Sequence, residues 1–178
     1  METEINPEQL MKDLLYAQQL KDARILILFL HLYTEHFINL LCREKRITCR
    51  TYREKLQKLS EMNVILKEVV GIVELVYDLR IELVHNLRPE SKLLERWIRE
   101  HKPPIIYESA ISPSSIAEFN SAIENANPIS KIQLLAIPAI VYLYKTLKMV
   151  RNEEIDYDMQ IHLTNAYAFT FEFLRKVK

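Results

Sequence analysis

The stretch Val69-Val70-Gly71-Ile72-Val73-Glu74-Leu75-Val76-Tyr77-Asp78-Leu79-Arg80-Ile81-Glu82-Leu83-Val84-His85-Asn86 decides the fold. Its apolar residues recur three and four positions apart, the period of a helix rather than the alternation of a strand. Val69, Val70, Ile72, Val73, Leu75, Val76 and Leu79 cover more than one face, so the helix, expected from about Val64 to His85 or Asn86, belongs at the centre of a core. Arg88-Pro89 ends it, because a residue before proline disfavours the α region. The stretch also holds Gly71, the only glycine of the 178-residue chain. Sandwiches and barrels need many tight turns with positive φ, and phosphate-binding α/β folds need a glycine-rich loop. Both classes are excluded, and an all-α fold remains.

Start and stop signals set out the flanking helices. Asn6-Pro7-Glu8 starts a helix reaching about Leu20, with Asn as cap, Pro in the first turn and Glu at the positive end. Asp22 caps a long, strongly apolar second helix that ends near Arg46. Thr51 caps a short third one reaching about Met62. Beyond the central helix, Glu90 to His101 reads as a short helix with Leu93, Leu94, Trp97 and Ile98 inward. The proline-rich stretch from Lys102 through Pro113 is irregular, with room for an extended segment around Ile105-Ile106-Tyr107. Ser114 or Ser115 caps a further helix that ends near Asn127-Pro128. Ser130 caps the next, from Lys131 to about Arg151, which Pro138 should kink, and Asp156 begins a last helix. The expectation is a single helical domain over 1–178, a bundle of about seven to eight helices. Its core bundle spans about 7–101, and a proline-interrupted helical region is appended over about 114–178. Tyr142/Tyr144 and Phe169/Phe171/Phe173 read as core or interface groups.

Charge and cysteine usage narrow the function. Lys and Arg total 24 against 24 Asp and Glu, a formal net charge of zero. General coating of nucleic acid needs many phosphate-neutralising cations, so only a local basic patch could serve that role. Such a patch is present: Arg43, Lys45, Arg46, Arg50, Arg53, Lys55 and Lys58 outnumber Glu44 and Glu54. Tyr52 among them could stack on a base; a solvated helical corner is the alternative. Cys42 and Cys49 have no second cysteine pair to complete a zinc ribbon and read as reduced thiols. The segment Met1 to Pro7 is acidic and lacks an apolar signal core. The longest apolar run, Ile25 to Leu30, falls far short of the roughly 20 residues that span a bilayer. A cytoplasmic protein with no membrane partner is expected. His31 and Glu35 share a helix face near His36, which makes a metal pair conceivable. The two-histidine spacing of zinc hydrolases is missing, however, so a core histidine satisfied by a neighbour is preferred. No metal and no cofactor are expected.

The end of the central helix is where chemistry is expected. Arg80, Glu82 and His85 stand out against the apolar run before them, and charges near a core are costly unless paired. Arginine, four residues, then histidine, followed by the run Leu83-Val84-His85-Asn86, resembles the signature of the HEPN superfamily of helical-bundle proteins. Residues 29–41, Phe-Leu-His-Leu-Tyr-Thr-Glu-His-Phe-Ile-Asn-Leu-Leu, are similar to that family's first long core helix; the likeness covers loosely residues 20 to 100. The chain departs from the pattern at Ile81, where members often carry a polar residue. It departs again at Leu87, where some toxins carry a tyrosine that is modified.

The resemblance implies a homodimer in which both copies of the signature meet in one cleft, and metal-independent endoribonuclease chemistry there. His85 would accept the proton of a ribose 2′-hydroxyl or protonate the leaving oxygen. Arg80 would bind the scissile phosphate and stabilise its developing charge. Asp78, Glu82 and His85 share a helix face, so either carboxylate could orient the histidine. Arg80 and His85 themselves lie about 140° apart on a regular helix. They converge only if the long arginine reaches around, the helix frays near Asn86, or a two-fold mate supplies the partner group. The expected function is thus RNA cleavage or RNA binding, in a toxin–antitoxin or antiviral setting, with an antitoxin or nucleotidyltransferase-like protein as a further partner. A non-catalytic protein-interaction module and a nucleotide-binding helical domain are the alternatives.

Overall fold

At four of the helix starts a side chain takes up a free backbone N–H. In the computed structural model, which describes residues 6–85 and 126–154, there are five helices and no strand among the described residues. Helix α1 (Pro7–Gln19) begins where the Asn6 side chain accepts from the Glu8 N–H at 2.9 Å. Helix α2 (Ala23–Glu44) begins where Asp22 accepts from the Arg24 N–H at 2.8 Å. Helix α3 (Tyr52–Glu61) opens with a reciprocal capping box: the Glu54 N–H donates to Thr51 Oγ1, and the Thr51 N–H donates to the Glu54 carboxylate, both at 3.2 Å. Helix α4 (Lys67–His85) starts later than the apolar pattern suggested. The Val64 and Ile65 N–H groups are spent on the Leu59 carbonyl, closing α3, at 2.9 and 3.4 Å. Helix α5 (Pro128–Val150) starts earlier than expected. Asn127 is its cap, accepting from the Ser130 N–H at 2.9 Å, and Pro128 takes the first turn. The helix runs on across Pro138.

The helix ends show how a chain with almost no glycine closes them. Arg46, Asn63 and Asn152 have φ of 54°, 54° and 56°, the left-handed region usually given to glycine. At each, two N–H groups fold back on the last turn. Arg46 donates to the Arg43 carbonyl at 3.0 Å and Ile47 to Cys42 at 2.7 Å. Asn63 donates to Ser60 at 2.9 Å and Val64 to Leu59 at 2.9 Å; Asn152 donates to Met149 at 3.1 Å and Glu153 to Lys148 at 2.9 Å. Asparagine tolerates this conformation, whereas arginine carries the Cβ penalty. Arg46→Gly should therefore raise stability by up to about 1 kcal/mol, seen as a higher urea midpoint with unchanged slope. A loss would mean that the Arg46 side chain holds the corner.

The core lies between α2, α4 and α5. Helix α2 buries Leu26, Ile27, Leu30, Phe37, Ile38 and Leu41, and it packs most extensively against α5 and next against α4. Helix α5 is buried almost without interruption from Ile132 to Leu147, as a helix apolar on all sides must be. It comes from the proline-rich second half of the sequence, yet it shares one apolar cluster with α1 to α4. Gln133, buried in this helix, ties down the end of α1: its Nε2 donates to the Ala17, Gln18 and Leu20 carbonyls at 2.9, 3.1 and 3.1 Å.

By length and composition two helices could cross a membrane, over Ala23–Glu44 and Ile129–Val150, with 56% and 78% of their most apolar windows buried inside this fold. The core helices of a soluble protein pass the same test. The expected helix at Glu90–His101, the irregular stretch, the helix from Ser114 or Ser115, and the last helix with Phe169, Phe171 and Phe173 lie outside the described residues.

Candidate functional site

Three helices bring polar side chains together beside Arg80. Helix α2 supplies His31, Thr34 and Glu35, α3 supplies Tyr52, and α4 supplies Tyr77 and Arg80, whereas Asp78 and Glu82, each two residues from Arg80, stand about 160° from it around α4. Phase explains the convergence. On α2, His31 and Glu35 stand one turn apart on the flank that meets α3 and α4, while Leu30 and Phe37 turn into the core.

His31 sits at the centre. It is only 5% exposed, with its Nε2 3.5 Å from the Glu35 carboxylate. The Tyr52 and Tyr77 rings pack on it at centroid distances of 5.9 and 5.8 Å, and stack on each other at 5.0 Å. Its Nδ1 and the buried Tyr52 hydroxyl have no hydrogen-bond partner among the described residues. Thr34 lies beside that hydroxyl, and its own hydroxyl donates to the His31 carbonyl at 3.0 Å. Burial holds the His31 pKa below its ordinary 6.5; the Glu35 carboxylate works against this, and the positive charge of Arg80 adds to it. Burial likewise pushes the Tyr52 hydroxyl well above its usual range.

The depressed value has a stability consequence with a definite sign. The unfolded chain takes up a proton on this histidine at higher pH than the folded one does, so stability falls as the pH drops below about 6.5. The fall levels off once the pH is beneath the folded-state value. His31→Gln should flatten that part of the curve, measured as the urea midpoint of variant and wild type between about pH 7.5 and 5. The other histidines cancel in the difference. Parallel curves would mean that His31 titrates as freely as in the unfolded chain.

The sequence-predicted residues are distributed as follows. Arg80 is half-buried on α4, and no carboxylate lies within ion-pairing distance of it among the described residues. Asp78 is engaged by Arg53 at 2.6 Å, and the Arg53 guanidinium also lies 6.0 Å from the Tyr77 ring centre. Glu82 is half-buried, with one carboxylate oxygen buried and unpartnered. Of the two carboxylates considered for orienting His85, Glu82 is thus the uncommitted one. Helix α4 remains helical through His85, so Arg80 and His85 stand about 140° apart around its axis. The His85 side chain lies outside the described residues.

The basic corner separates into two groups. Arg43, Arg46 and Arg50 are exposed and Lys45 is half-buried. Arg53 is turned toward Asp78, and Lys55 donates to Asn39 Oδ1 at 2.7 Å. Tyr52, expected to offer its face to a base, is 8% exposed and packed against His31 and Tyr77, so that face is taken. The aromatic contact with Tyr77 is the feature that sequence reasoning missed. Cys42 and Cys49 are both free thiols. No cluster of three or more His, Cys, Asp or Glu side chains suited to a metal ion occurs among the described residues.

Fold and site together define an all-helical protein with a buried histidine–tyrosine cluster beside a half-buried arginine. No family model matches the chain, and no curated protein or solved structure matches it.

Proposed function

We propose that this is an RNA-cleaving or RNA-binding protein of HEPN type, cytoplasmic and dimeric, whose site joins Arg80 and His85 of two subunits. Arg80 carries the reading. It is a half-buried residue on a central helix, with no acidic partner among the described residues. An RNA phosphate would supply an anion for it. Glu82, one helical turn before His85, has a free buried oxygen to orient the imidazole. The exposed arginines at 43, 46 and 50 would contact the RNA backbone beyond the cleavage point. An antitoxin, of nucleotidyltransferase type or otherwise, would act by covering this surface.

The attacking nucleophile is the 2′-hydroxyl of the RNA, so cleavage should persist in excess EDTA and leave 2′,3′-cyclic phosphate ends. RNA incubated with the full chain in EDTA, with the ends identified by mass spectrometry, is the direct test. No cleavage of any RNA, with no RNA binding, removes the reading. A second reading, a non-catalytic interaction module, is favoured by one observation: Tyr16, Ile25, Leu28 and Leu32 are exposed on a single surface. Under that reading RNA stays intact.

A further inference from the structure

The buried ring of His31 lies against the flank of α4 that carries Arg80. It packs on Tyr77 at 5.8 Å, and Arg80 follows Tyr77 by three residues, one turn along the same flank. Its Nε2 lies 3.5 Å from the Glu35 carboxylate. In the neutral ring Nε2 therefore carries the hydrogen, and the bare lone pair is on Nδ1, which has no hydrogen-bond partner among the described residues. A proton taken up from solvent goes to Nδ1.

Few charges decide whether that proton is held. Among the described residues, α2 turns Glu35 toward the ring, α3 turns Tyr52, and α4 turns Tyr77 and Arg80. Burial pushes the Tyr52 hydroxyl away from ionisation. Arg53 of α3 is engaged by Asp78 and, at longer range, by Glu74. One carboxylate thus favours the imidazolium and one guanidinium opposes it. An anion seated on Arg80 cancels the opposition, and a half-buried setting screens these charges less than bulk water does. Linkage makes the effect mutual: the factor by which a bound anion strengthens the hold on the proton is the factor by which the proton strengthens the hold on the anion.

We propose that His31 is the proton-linked partner of an anion site at Arg80: a phosphate held by Arg80 and a proton held on His31 Nδ1 stabilise each other across the α2–α4 contact, so that phosphate binding tightens as the medium is acidified. This rests on the reading of Arg80 as the residue that takes an RNA phosphate. It adds a regulation of that site which acts on how tightly RNA is held, not on the proton transfers assigned to His85.

NMR titration of the full chain provides the test, with chloride at equal ionic strength as the reference. The probes are inorganic sulfate and a short 2′-O-methyl RNA, which lacks the attacking hydroxyl; their anionic groups keep a constant charge over the window, about pH 5 to 8, in which a histidine titrates. In the wild type both probes should move the Arg80 side-chain N–H resonance and raise the pH midpoint of the His31 imidazole. Their affinity should be at least about fivefold higher at the acid end of that window, and His31→Gln should lose most of this gain. In Arg80→Gln the His31 midpoint should be higher even without a probe, because the opposing charge is gone, and the probes should leave it unmoved. Arg80→Lys keeps the charge and should keep the lowered midpoint, and Glu35→Gln should lower it further. A His31 midpoint indifferent to the probes while the Arg80 resonance responds overturns the linkage and leaves Arg80 as an anion site. A midpoint that moves equally in Arg80→Gln overturns it as well, because the anion then sits elsewhere. No response of Arg80 to either probe removes the phosphate reading itself, and the linkage with it.

Discussion

Under the proposed function, Arg80→Ala should lower metal-free RNA cleavage by about a hundredfold or more, and His85→Ala by roughly 10²–10⁴-fold, with the fold intact in both. The two losses have different origins. In the proposed reaction the arginine would balance charge that grows on the phosphate as the 2′-oxygen attacks, so its removal should lower kcat more than it weakens RNA binding. In the same proposed reaction the histidine would move a proton, so its removal should abolish the pH dependence that such a proton transfer imposes on the rate. Arg80→Lys keeps the charge but loses the planar fork and should recover only part of the activity. Glu82→Gln should shift the pH profile without abolishing cleavage, because in the proposed site Glu82 would act through His85 and not on the RNA. The Arg53–Asp78 pair supplies a control. It is exposed on both sides, and exposed pairs contribute little, so Asp78→Asn should leave cleavage and stability nearly unchanged. Full cleavage in both Arg80→Ala and His85→Ala would remove these residues from the site, whatever the protein does to RNA.

Much of the fold was legible because helix signals are local. Asn6, Asp22 and Thr51 announce themselves as caps, and each one caps. The errors have equally local causes. Asn127-Pro128 is ambiguous in sequence, since the same pair can end one helix or begin the next, and only the Ser130 N–H on the Asn127 side chain decides it. The start of α4 was misplaced because apolar Val64 and Ile65 continue the periodic pattern while their N–H groups belong to the end of α3. The candidate site was less legible. A pattern along one helix can nominate Arg80, Glu82 and His85, but it cannot say that Asp78 is already engaged by an arginine from α3. Nor can it say that Tyr52 turns inward. Those facts depend on how three helices are arranged in space, and no spacing within one of them encodes that arrangement. His31 shows the same limit from the other side: its apolar setting marks it as a core histidine, while its adjacency to Arg80 follows only from the packing of α2 on α4.

Phe37→Ala should be the most destabilising single change in the described core, costing about 3–5 kcal/mol. Phe37 is fully buried on α2, with ring centres of Tyr33, His36 and Tyr144 at 6.5, 5.9 and 6.1 Å. Tyr144 belongs to α5, so this ring is where the first half of the sequence is joined to the second. A loss of that size is a large share of the roughly 5–15 kcal/mol that holds a typical domain together. The cavity cannot close by local collapse, because rigid helices border it on two sides and the neighbouring rings cannot tilt inward without leaving their own contacts. Met149→Ala, at a residue 73% exposed near the end of α5, should cost less than about 0.5 kcal/mol and serves as the reference. Urea unfolding followed by circular dichroism and by tyrosine fluorescence distinguishes two ways of losing the join. If α5 is integral to the core, both probes shift together in one cooperative transition at a lower midpoint. If the two halves are separable, the two probes part and the variant unfolds in two steps. A Phe37→Ala protein within about 1 kcal/mol of the wild type would mean that α5 does not seal the core against α2, and that Arg80 is carried by a smaller bundle than the one described.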